Sequence, residues 1–313
     1  MCGIAGIFGE NNLSQIEAYI SEMTNALEHR GPDSHGFWTD EKRTLALGHR
    51  RLSIIDLSET GHQPMVSACG RFVITFNGEI YNHLELRAHF EKLSRENHGE
   101  DILWKGTSDT ETILEGFSLI GINETLKMSV GMFAMAIWDL KEERLHLTRD
   151  RMGEKPLYYG WSSKNFIFAS ELKALRKYGL FNNEIDRDSL NIYMRHNYIP
   201  TPRSIYKSIY KLEPGTKISL SLNDTESNYS NLEKKVWWSL KEATLEGKKN
   251  LVLDEQQNLK QLENCLLDSI KLQSVADVPL GAFLSGGVDS SLIVALMQSN
   301  SKTKINTFSI GFK

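Results

Sequence analysis

The chain has 313 residues, which is more than one ordinary domain, because domains usually contain about 100–200 residues. Its apolar fraction of 40% and charged fraction of 24% are those of a globular protein and exclude a disordered, collagen-like or coiled-coil chain. With 36 Lys and Arg against 40 Asp and Glu, the net charge of -4 argues against nucleic acid or an anionic membrane as a partner.

The first half of the chain is predicted to be rich in short strands with a few inserted helices. Residues 1–9 alternate small and apolar side chains and predict a buried strand, and a capping box at Ser14 and Glu17 predicts that a helix follows. Helical spacing of apolar residues places helices at residues 16–27, 86–93 and 112–120, the last entered at Asp109. Short strand-like runs lie at residues 45–47, 52–55, 72–76, 132–138, 145–148, 156–161 and 166–170. This order predicts a layered α+β domain over residues 2–215.

The second half begins with a polar, lysine-rich stretch at residues 216–257, which predicts a connecting region. Residues 258–313 then follow a different pattern, in which a helix precedes a strand–helix–strand unit. That unit is placed at residues 280–284, 289–298 and 306–310. One crossover with two strands cannot form a covered parallel sheet, so we expect residues 258–313 to be the beginning of a truncated α/β domain.

The three cysteines, Cys2, Cys69 and Cys265, include no C-x-x-C pair, so neither a disulfide framework nor a thiolate zinc site is predicted. Cys2 stands out because it follows Met1. If Met1 is removed, Cys2 carries both a thiol and a free α-amine with a pKa of about 7.7–8.0, and is thus a nucleophile with its own base. The alternative is a small buried residue near a chain end. Ser170 and Lys173 match the S-x-x-K pattern of penicillin-binding enzymes, but without its partner motifs they predict a helix start.

Five motifs occur together and in order along residues 2–215. They are the N-terminal Met-Cys-Gly-Ile-Ala-Gly-Ile-Phe, His29-Arg-Gly-Pro-Asp33, His49-Arg-Arg-Leu-Ser-Ile-Ile-Asp56, Phe76-Asn-Gly-Glu-Ile-Tyr-Asn82 and Ser108-Asp-Thr-Glu111. This set resembles the class II, N-terminal-nucleophile glutamine amidotransferases, and among them the glutamine-hydrolysing asparagine synthetases. The resemblance implies a four-layer αββα N-terminal-nucleophile hydrolase domain.

The resemblance also implies a role for each motif residue. Cys2 would attack the side-chain carbonyl of glutamine, and Asn77 with the backbone N–H of Gly78 would form the oxyanion hole. Arg51 would hold the α-carboxylate, with the adjacent Arg50 as an alternative. Asp109 and Glu79 would bind the α-amino and side-chain amide ends, although Asp109 is equally suited to cap a helix. The full set of implied glutamine-binding residues is Arg51, Leu52, Ser53, Ile54, Ile55, Asn77, Gly78, Glu79 and Asp109.

A second motif, Leu284-Ser-Gly-Gly-Val-Asp-Ser-Ser291, is predicted to connect a strand to a helix N-terminus. Backbone N–H groups and hydroxyls at such a position form an anion cradle, and the missing lysine excludes a Walker A loop. The motif looks like the pyrophosphate loop of ATP pyrophosphatases, which implies ATP as a substrate and Mg²⁺ held by Asp289. The implied ATP-binding residues are Leu284, Ser285, Gly286, Gly287, Asp289, Ser290, Ser291 and Ile310, although Leu284 and Ile310 also fit an ordinary sheet core.

The predicted function is therefore a glutamine-dependent asparagine synthetase that uses glutamine, ATP and aspartate. We expect it in the cytoplasm and as a possible homodimer, without a nucleic-acid or membrane partner. The longest apolar stretch of the chain is about seven residues, against the roughly 20 that a membrane helix needs. Three alternatives stay open. The acceptor could be another carboxylate, such as a surface-sugar or peptide acid; the chain could be a stand-alone glutaminase; or it could be a non-catalytic subunit that keeps the shape.

Overall fold

The computed structural model describes residues 1–9, 15–224 and 232–311, so the predicted capping residue Ser14 lies outside the described part. The chain divides into two compact units. The first contains residues 1–53 and 58–240, and the second contains residues 54–57 and 241–313.

Two six-stranded sheets form the centre of the first unit, and their strands pair antiparallel. Sheet A contains β1 (Gly3–Phe8), β2 (Ser34–Thr39), β3 (Leu45–Arg51), β8 (Tyr158–Ser162), β9 (Asn165–Ala169) and β10 (Ile209–Lys211). Sheet B contains β4 (Met65–Val66), β5 (Phe72–Ile80), β6 (Gly131–Asp139), β7 (Arg144–Arg149), β11 (Thr216–Leu220) and β12 (Glu233–Val236). The strand orders are β10-β8-β9-β1-β3-β2 and β12-β11-β7-β6-β5-β4.

Helices cover the outer face of each sheet. The helices of the first unit are α1 (Ile16–Asn25), α2 (His83–His98), α3 (Asp109–Ile120), α4 (Ile122–Met128), α5 (Leu172–Leu175) and α6 (Arg187–His196). Helices α1 and α5 pack on sheet A, whereas α2, α3 and α4 pack on sheet B. The resulting αββα arrangement confirms the predicted fold class.

Strand β1 shows how the sequence produces these layers. Its side chains alternate between two faces, as in any strand. Ile4 and Phe8 belong to the core between the sheets, whereas Ala5 and Ile7 pack against the helices over sheet A. Because both faces are covered, every residue of β1 is buried, which explains why its sequence has no polar alternation.

The structure corrects two sequence-based expectations. The predicted strand at residues 52–55 is wrong, because β3 ends at Arg51 and its apolar successors lie in a loop. Strands β11 and β12 fall within residues 216–257, which were expected to form a connecting region, and they pair in sheet B. Strand β12 carries mostly lysine and glutamate and pairs with β11, whose Ile218 and Leu220 lie in the core between the sheets, so long-range pairing determines β12.

The second unit contains the expected strand–helix–strand crossover. Its strands β13 (Gly281–Phe283) and β14 (Asn306–Phe308) pair parallel, and α9 (Val288–Asn300) connects them. Two helices precede this crossover along the chain, α7 (Leu240–Gly247) and α8 (Glu255–Gln273). Within the described ranges, no helix combines the length and apolar character needed to cross a membrane.

Candidate active site

Cys2 lies immediately before β1, and its thiol is held by the backbone at the end of β3. The N–H of Leu52 donates to Cys2 Sγ at 3.4 Å, and the thiol can donate to the Leu52 carbonyl at 3.6 Å. Burial raises the pKa of the Cys2 thiol, while the bond from Leu52 opposes that rise. The thiol therefore needs a nearby base to become a nucleophile at neutral pH.

A buried arginine from the second motif fixes the backbone of Cys2. Arg30 Nε donates to the Cys2 carbonyl at 2.8 Å, and Arg30 Nη1 donates to Glu171 Oε1 at 2.9 Å. Ser170 Oγ accepts the N–H of Ile4 at 3.0 Å, which ties β1 to the end of β9. Helix α5 starts just beyond, at Leu172, so the expectation of a helix start at the S-x-x-K pattern is confirmed.

The two adjacent arginines at the end of β3 point to different surroundings. Arg50 donates to the Thr24 carbonyl at 3.3 Å and to Asn25, at the end of α1. Arg51 Nη1 donates to the Ser58 carbonyl at 3.0 Å and lies within electrostatic range of Cys2. Because successive strand residues face opposite sides, only one of the pair can face the thiol, and that residue is Arg51.

Gly31 of the same motif fits tightly against this part of β3. A Cβ atom there would lie 2.4 Å from the Arg50 carbonyl carbon and 2.5 Å from the Arg51 nitrogen, far inside contact distance. Both neighbours are backbone atoms, so the strand itself would have to move. The motif therefore needs glycine at this position because of close backbone packing.

We expect Gly31→Ala to destabilise the first unit by about 1–3 kcal/mol, the usual cost of overpacking a tight core. Urea unfolding followed by tryptophan fluorescence measures this change. The matched control is Gly247→Ala, where a Cβ would meet no atom within 4 Å. Equal unfolding midpoints for the wild type and Gly31→Ala would contradict the packing argument.

Asn77 and Glu79 lie on the face of β5 that points toward sheet A. Alternation along the strand sets this face, since Val73 packs in the core between the sheets and Thr75 bonds the Gly48 carbonyl of β3. The Asn77 amide is fully buried, and neither its nitrogen nor its oxygen has a hydrogen-bond partner among the described residues. A buried polar group without a partner is costly, so it is a strong candidate for a ligand contact.

Gly78 lies between them and packs directly against β6. A Cβ there would approach the Met132 carbonyl oxygen to 2.1 Å. Glycine is required at this position because the backbone of the neighbouring strand approaches so closely.

Asp109 is the first residue of α3, and the helix is capped by its neighbour. Ser108 Oγ accepts the N–H of Glu111 at 3.2 Å, whereas Asp109 Oδ2 accepts the N–H of Ile80 at 2.9 Å. Burial raises the pKa of Asp109 to about 6, and nearby Glu79 adds to the rise. Asp109 is therefore directed toward the end of β5 rather than used as the cap.

Because the pKa of Asp109 is raised, keeping its carboxylate ionised at neutral pH costs folding free energy. Between about pH 4 and pH 6 the unfolded chain releases a proton that the folded chain retains, so stability falls as pH rises through this window. We expect Asp109→Asn to increase the free energy of unfolding at pH 7.5, by up to about 3 kcal/mol, and to have little effect near pH 4. Denaturant unfolding at both pH values measures the difference.

The control for this prediction is Asp188→Asn, which changes an exposed aspartate in the first turn of α6. Its effect is expected to be small and similar at both pH values. A stabilisation by Asp109→Asn that is the same at pH 4 and pH 7.5 would contradict the assigned titration.

The serine- and glycine-rich motif of the second unit lies between β13 and α9. Leu284 continues the sheet by donating its N–H to the Phe308 carbonyl at 2.8 Å. Gly286 has a φ of +81°, which favours glycine, and Gly287 caps α9. Ser285 and Ser290 hydroxyls bond each other at 2.9 Å, so the loop is closed across the helix N-terminus.

Two residues expected beside the nucleotide are not sheet core. Ile310 is 78% exposed, and Leu284 is only half-buried. Asp289 lies in the first turn of α9 and is exposed, and within the described ranges no three His, Cys, Asp or Glu side chains converge on a metal position. Mg²⁺ in nucleotide sites uses one or two carboxylates together with phosphate oxygens, so a single Asp289 fits that donor set.

The predicted glutamine-site residues fall into two groups in the structure. Cys2, Arg51, Leu52, Ser53, Asn77, Gly78, Glu79 and Asp109 belong to the first unit, whereas Ile54 and Ile55 belong to the second, as do the nucleotide-loop residues. Ser53 is fixed by its N–H bond to Asp33 at 2.8 Å. Sequence reasoning gave no role to Arg30, which lies in the second motif, or to Glu171, which lies inside the Ser170–Lys173 pattern.

The αββα sandwich and the family match of its sequence give the class of the first unit, a glutamine amidotransferase domain. The glutamine phosphoribosylpyrophosphate amidotransferase of Bacillus subtilis, solved with ADP and GMP, superposes with a TM-score of 0.52 at 20% identity, over 76% of this chain and 50% of that one. Likeness at that identity shows the fold. Residues 1–238 match the family of glutamine amidotransferase domains, and residues 261–313 match the asparagine synthase family.

The chain belongs to the family of glutamine-hydrolysing asparagine synthetases. Over 316 residues it is 34% identical to asparagine synthetase 1 of Bacillus subtilis, covering 100% of this chain and 46% of that protein. It is 36% identical over 334 residues to a Methanocaldococcus jannaschii protein whose name assigns it provisionally to the same enzymes, covering 100% of this chain and 60% of that protein. The chain thus spans about half the length of these relatives.

Proposed function

We propose that the first unit hydrolyses glutamine with Cys2 as the nucleophile. The observation that carries this proposal is the surroundings of the thiol: Arg51 and the carboxyl of Asp109 are both buried and both lie within electrostatic range of Cys2 Sγ. A buried cation and a buried anion beside one nucleophile complement a zwitterionic amino acid. Arg51 would bind the α-carboxylate of glutamine, and Asp109 with Glu79 would bind its ammonium group.

The reaction would proceed in two covalent steps. After removal of Met1, whose side chain is exposed, the α-amine of Cys2 would take the thiol proton as the sulfur attacks the amide carbon. The carbonyl oxygen becomes an oxyanion, for which the unpartnered Asn77 amide offers a donor. The C–N bond then breaks, the leaving nitrogen takes the proton, and ammonia departs. Water would next hydrolyse the thioester to glutamate and restore Cys2.

Arg30 would contribute by holding the nucleophile in place. Its bond to the Cys2 carbonyl and its anchor on Glu171 fix the backbone on one side of the sulfur, and Leu52 fixes the thiol on the other. Positioning of this kind lowers the barrier because reacting atoms need little reorganisation.

The second unit would supply the ATP-binding loop of the synthetase reaction. Backbone N–H groups at the start of α9 and the hydroxyls of Ser285 and Ser290 would bind the phosphates, with Asp289 holding Mg²⁺. Mg²⁺, when bound, neutralises phosphate charge. With ATP, the side-chain carboxylate of aspartate would become an acyl-adenylate with release of pyrophosphate. Ammonia would then displace AMP and form asparagine.

The test is to measure glutamate, pyrophosphate and asparagine in the same reaction, with and without ATP and aspartate. The proposal predicts glutamate release in all mixtures that contain glutamine, and matched pyrophosphate and asparagine only when ATP and aspartate are present. Glutamate release without any pyrophosphate would identify a glutaminase only. Pyrophosphate release only with a different acid would show that this acid, and not aspartate, is the acceptor. If no glutamate is released, the assignment of Cys2 is refuted.

A further inference from the structure

The second half of strand β5 has a neighbouring strand on one edge only. On one side β5 pairs with β6 along its whole length, from Phe72 to Ile80. On the other side it meets only the two-residue strand β4, which pairs with Val73 and Ile74. From Phe76 onward, backbone groups on this second edge need partners other than a strand, because buried N–H and C=O groups are almost always hydrogen-bonded.

Side chains take the place of the missing strand at two positions of this edge. The Phe76 N–H donates to Gln63 Oε1 at 2.7 Å, and the Phe76 carbonyl accepts from His49 Nε2 at 3.0 Å. The Ile80 N–H donates to Asp109 Oδ2 at 2.9 Å. Gln63, His49 and Asp109 are all buried, so these bonds form inside the protein, where they are stronger than in water.

A relay of hydrogen bonds joins Gln63 to Asp109. Gln63 Nε2 donates to Thr110 Oγ1 at 3.2 Å, and the Thr110 hydroxyl donates to Asp109 Oδ1 at 3.4 Å. The direction of each bond is fixed, because the Phe76 N–H can only donate to Gln63 and an ionised Asp109 can only accept. The relay therefore leaves β5 at Phe76 and returns to it at Ile80, with one donor and one acceptor at each link.

Gly78 lies midway between the two ends of this relay. N–H groups of alternate strand residues point to the same edge, so the Gly78 N–H points the same way as those of Phe76 and Ile80. The Tyr81 N–H, one residue out of step, bonds the backbone on the β6 side at 2.8 Å, which agrees with this alternation. Within the described ranges, the Gly78 N–H meets no strand partner on its edge. It lies next to Asn77, whose amide also lacks a partner in the described part of the chain.

We propose that Gln63 and Thr110 are positioning residues of the glutaminase site, which hold β5 so that its oxyanion donors keep a fixed place. Those donors are the Asn77 amide and the Gly78 N–H. This role rests on the proposed glutaminase function. Gln63 and Thr110 would act through the backbone of β5 on the transition state, because the oxyanion forms only there. Accurate placement matters, since a displacement of about 1 Å can cost roughly 10²-fold in rate.

The test measures kcat and KM for glutamine hydrolysis at pH 8, where Asp109, whose pKa burial raises to about 6, is ionised. Thr110→Val removes the hydroxyl with little change of shape, and Gln63→Met removes the amide with little change of length. Each should lower kcat roughly 10–100-fold, because the donors are displaced rather than lost. KM should stay within about threefold, since bound glutamine carries no oxyanion.

Two variants on α3 separate positioning from packing. Thr110→Ser keeps the hydroxyl and loses only a methyl group, so kcat should stay within about threefold of wild type. Thr112→Val is the matched control, because Thr112 is also buried and its hydroxyl donates to the Ser108 carbonyl at 3.2 Å, outside the relay. It should lower stability about as much as Thr110→Val, without a change in kcat. Circular dichroism gives the folded fraction to which each kcat is referred.

Three results would overturn this role and leave the glutaminase assignment intact. The first is an equal loss of kcat in Thr112→Val or Thr110→Ser, which would assign the effect to packing of α3. The second is a rise in KM with kcat unchanged, which would mean that Thr110 acts through Asp109 on substrate binding. The third is a kcat within about twofold of wild type for both Thr110→Val and Gln63→Met. Absence of glutamate release from the wild-type protein would instead overturn the proposed function, and this role with it.

Discussion

Replacing Cys2 by alanine is expected to reduce glutamate release by about 10⁴-fold or more, to the level of the uncatalysed reaction plus binding effects. Cys2 supplies the sulfur from which the thioester would form, and the alanine side chain has no group that can attack the same carbon. The measurement is glutamate release at saturating glutamine, with mass spectrometry to establish that Met1 has been removed. The free energy of unfolding should change little, since only the weak sulfur hydrogen bonds to the Leu52 backbone are lost.

The other two cysteines provide matched controls. Cys69 and Cys265 are both free and exposed. Cysteine-to-alanine changes there should leave glutamate release within about twofold of wild type, as is usual for surface substitutions. A glutamine-like electrophile should label Cys2 alone. If Cys2→Ala retains activity, or if labelling falls on Cys69, the nucleophile has been assigned to the wrong residue.

The motifs indicated candidate site residues, and those assignments stay predictions, whereas the apolar runs misplaced part of the chain between them. Cys2, Asn77 and Asp109 could be singled out because each stands in a short string of residue types suited to one chemical role. The strand predicted at residues 52–55 was wrong for a physical reason. Apolar Leu52, Ile54 and Ile55 look like strand residues, yet β3 ends at Arg51 and the following loop presents the Leu52 backbone to the thiol.

Residues that support the nucleophile from a distance could not be found in the sequence. Arg30 and Glu171 meet across 141 positions of the chain, and only the fold brings them together. Local patterns report neighbours along the chain, whereas burial of a charge is set by tertiary packing.

Two groups in this site are less stable in their surroundings than they would be in water. The Asn77 amide lacks partners among the described residues, and Asp109 has its pKa raised to about 6. Each arrangement costs folding free energy, and each becomes favourable when a ligand of matching charge or hydrogen-bonding pattern binds. Together with the thiol of Cys2, these groups are the physical argument for a substrate site in the first unit.

The second large expected effect concerns Asn77. Asn77→Ala should lower kcat for glutamine hydrolysis by roughly 10²–10³-fold, because one oxyanion donor is lost, and should change KM by less than about threefold. Asn77→Leu, which replaces the amide by an apolar group of similar size, should lower kcat as much. It should leave the free energy of unfolding unchanged or about 1 kcal/mol higher, since no hydrogen bond within the described protein is lost.

Asn165 is the matched control, because it is also a buried asparagine in a central strand. Its Nδ2 donates to the Tyr178 hydroxyl at 2.7 Å, so Asn165→Ala loses a structural bond and should cost about 1–3 kcal/mol of stability without a change in kcat of the folded protein. We therefore expect opposite outcomes at the two asparagines. Substitution of Asn77 should lower activity and keep stability, whereas substitution of Asn165 should lower stability and keep activity. If Asn77→Leu loses stability and keeps kcat, Asn77 is a packing residue and another group must stabilise the oxyanion.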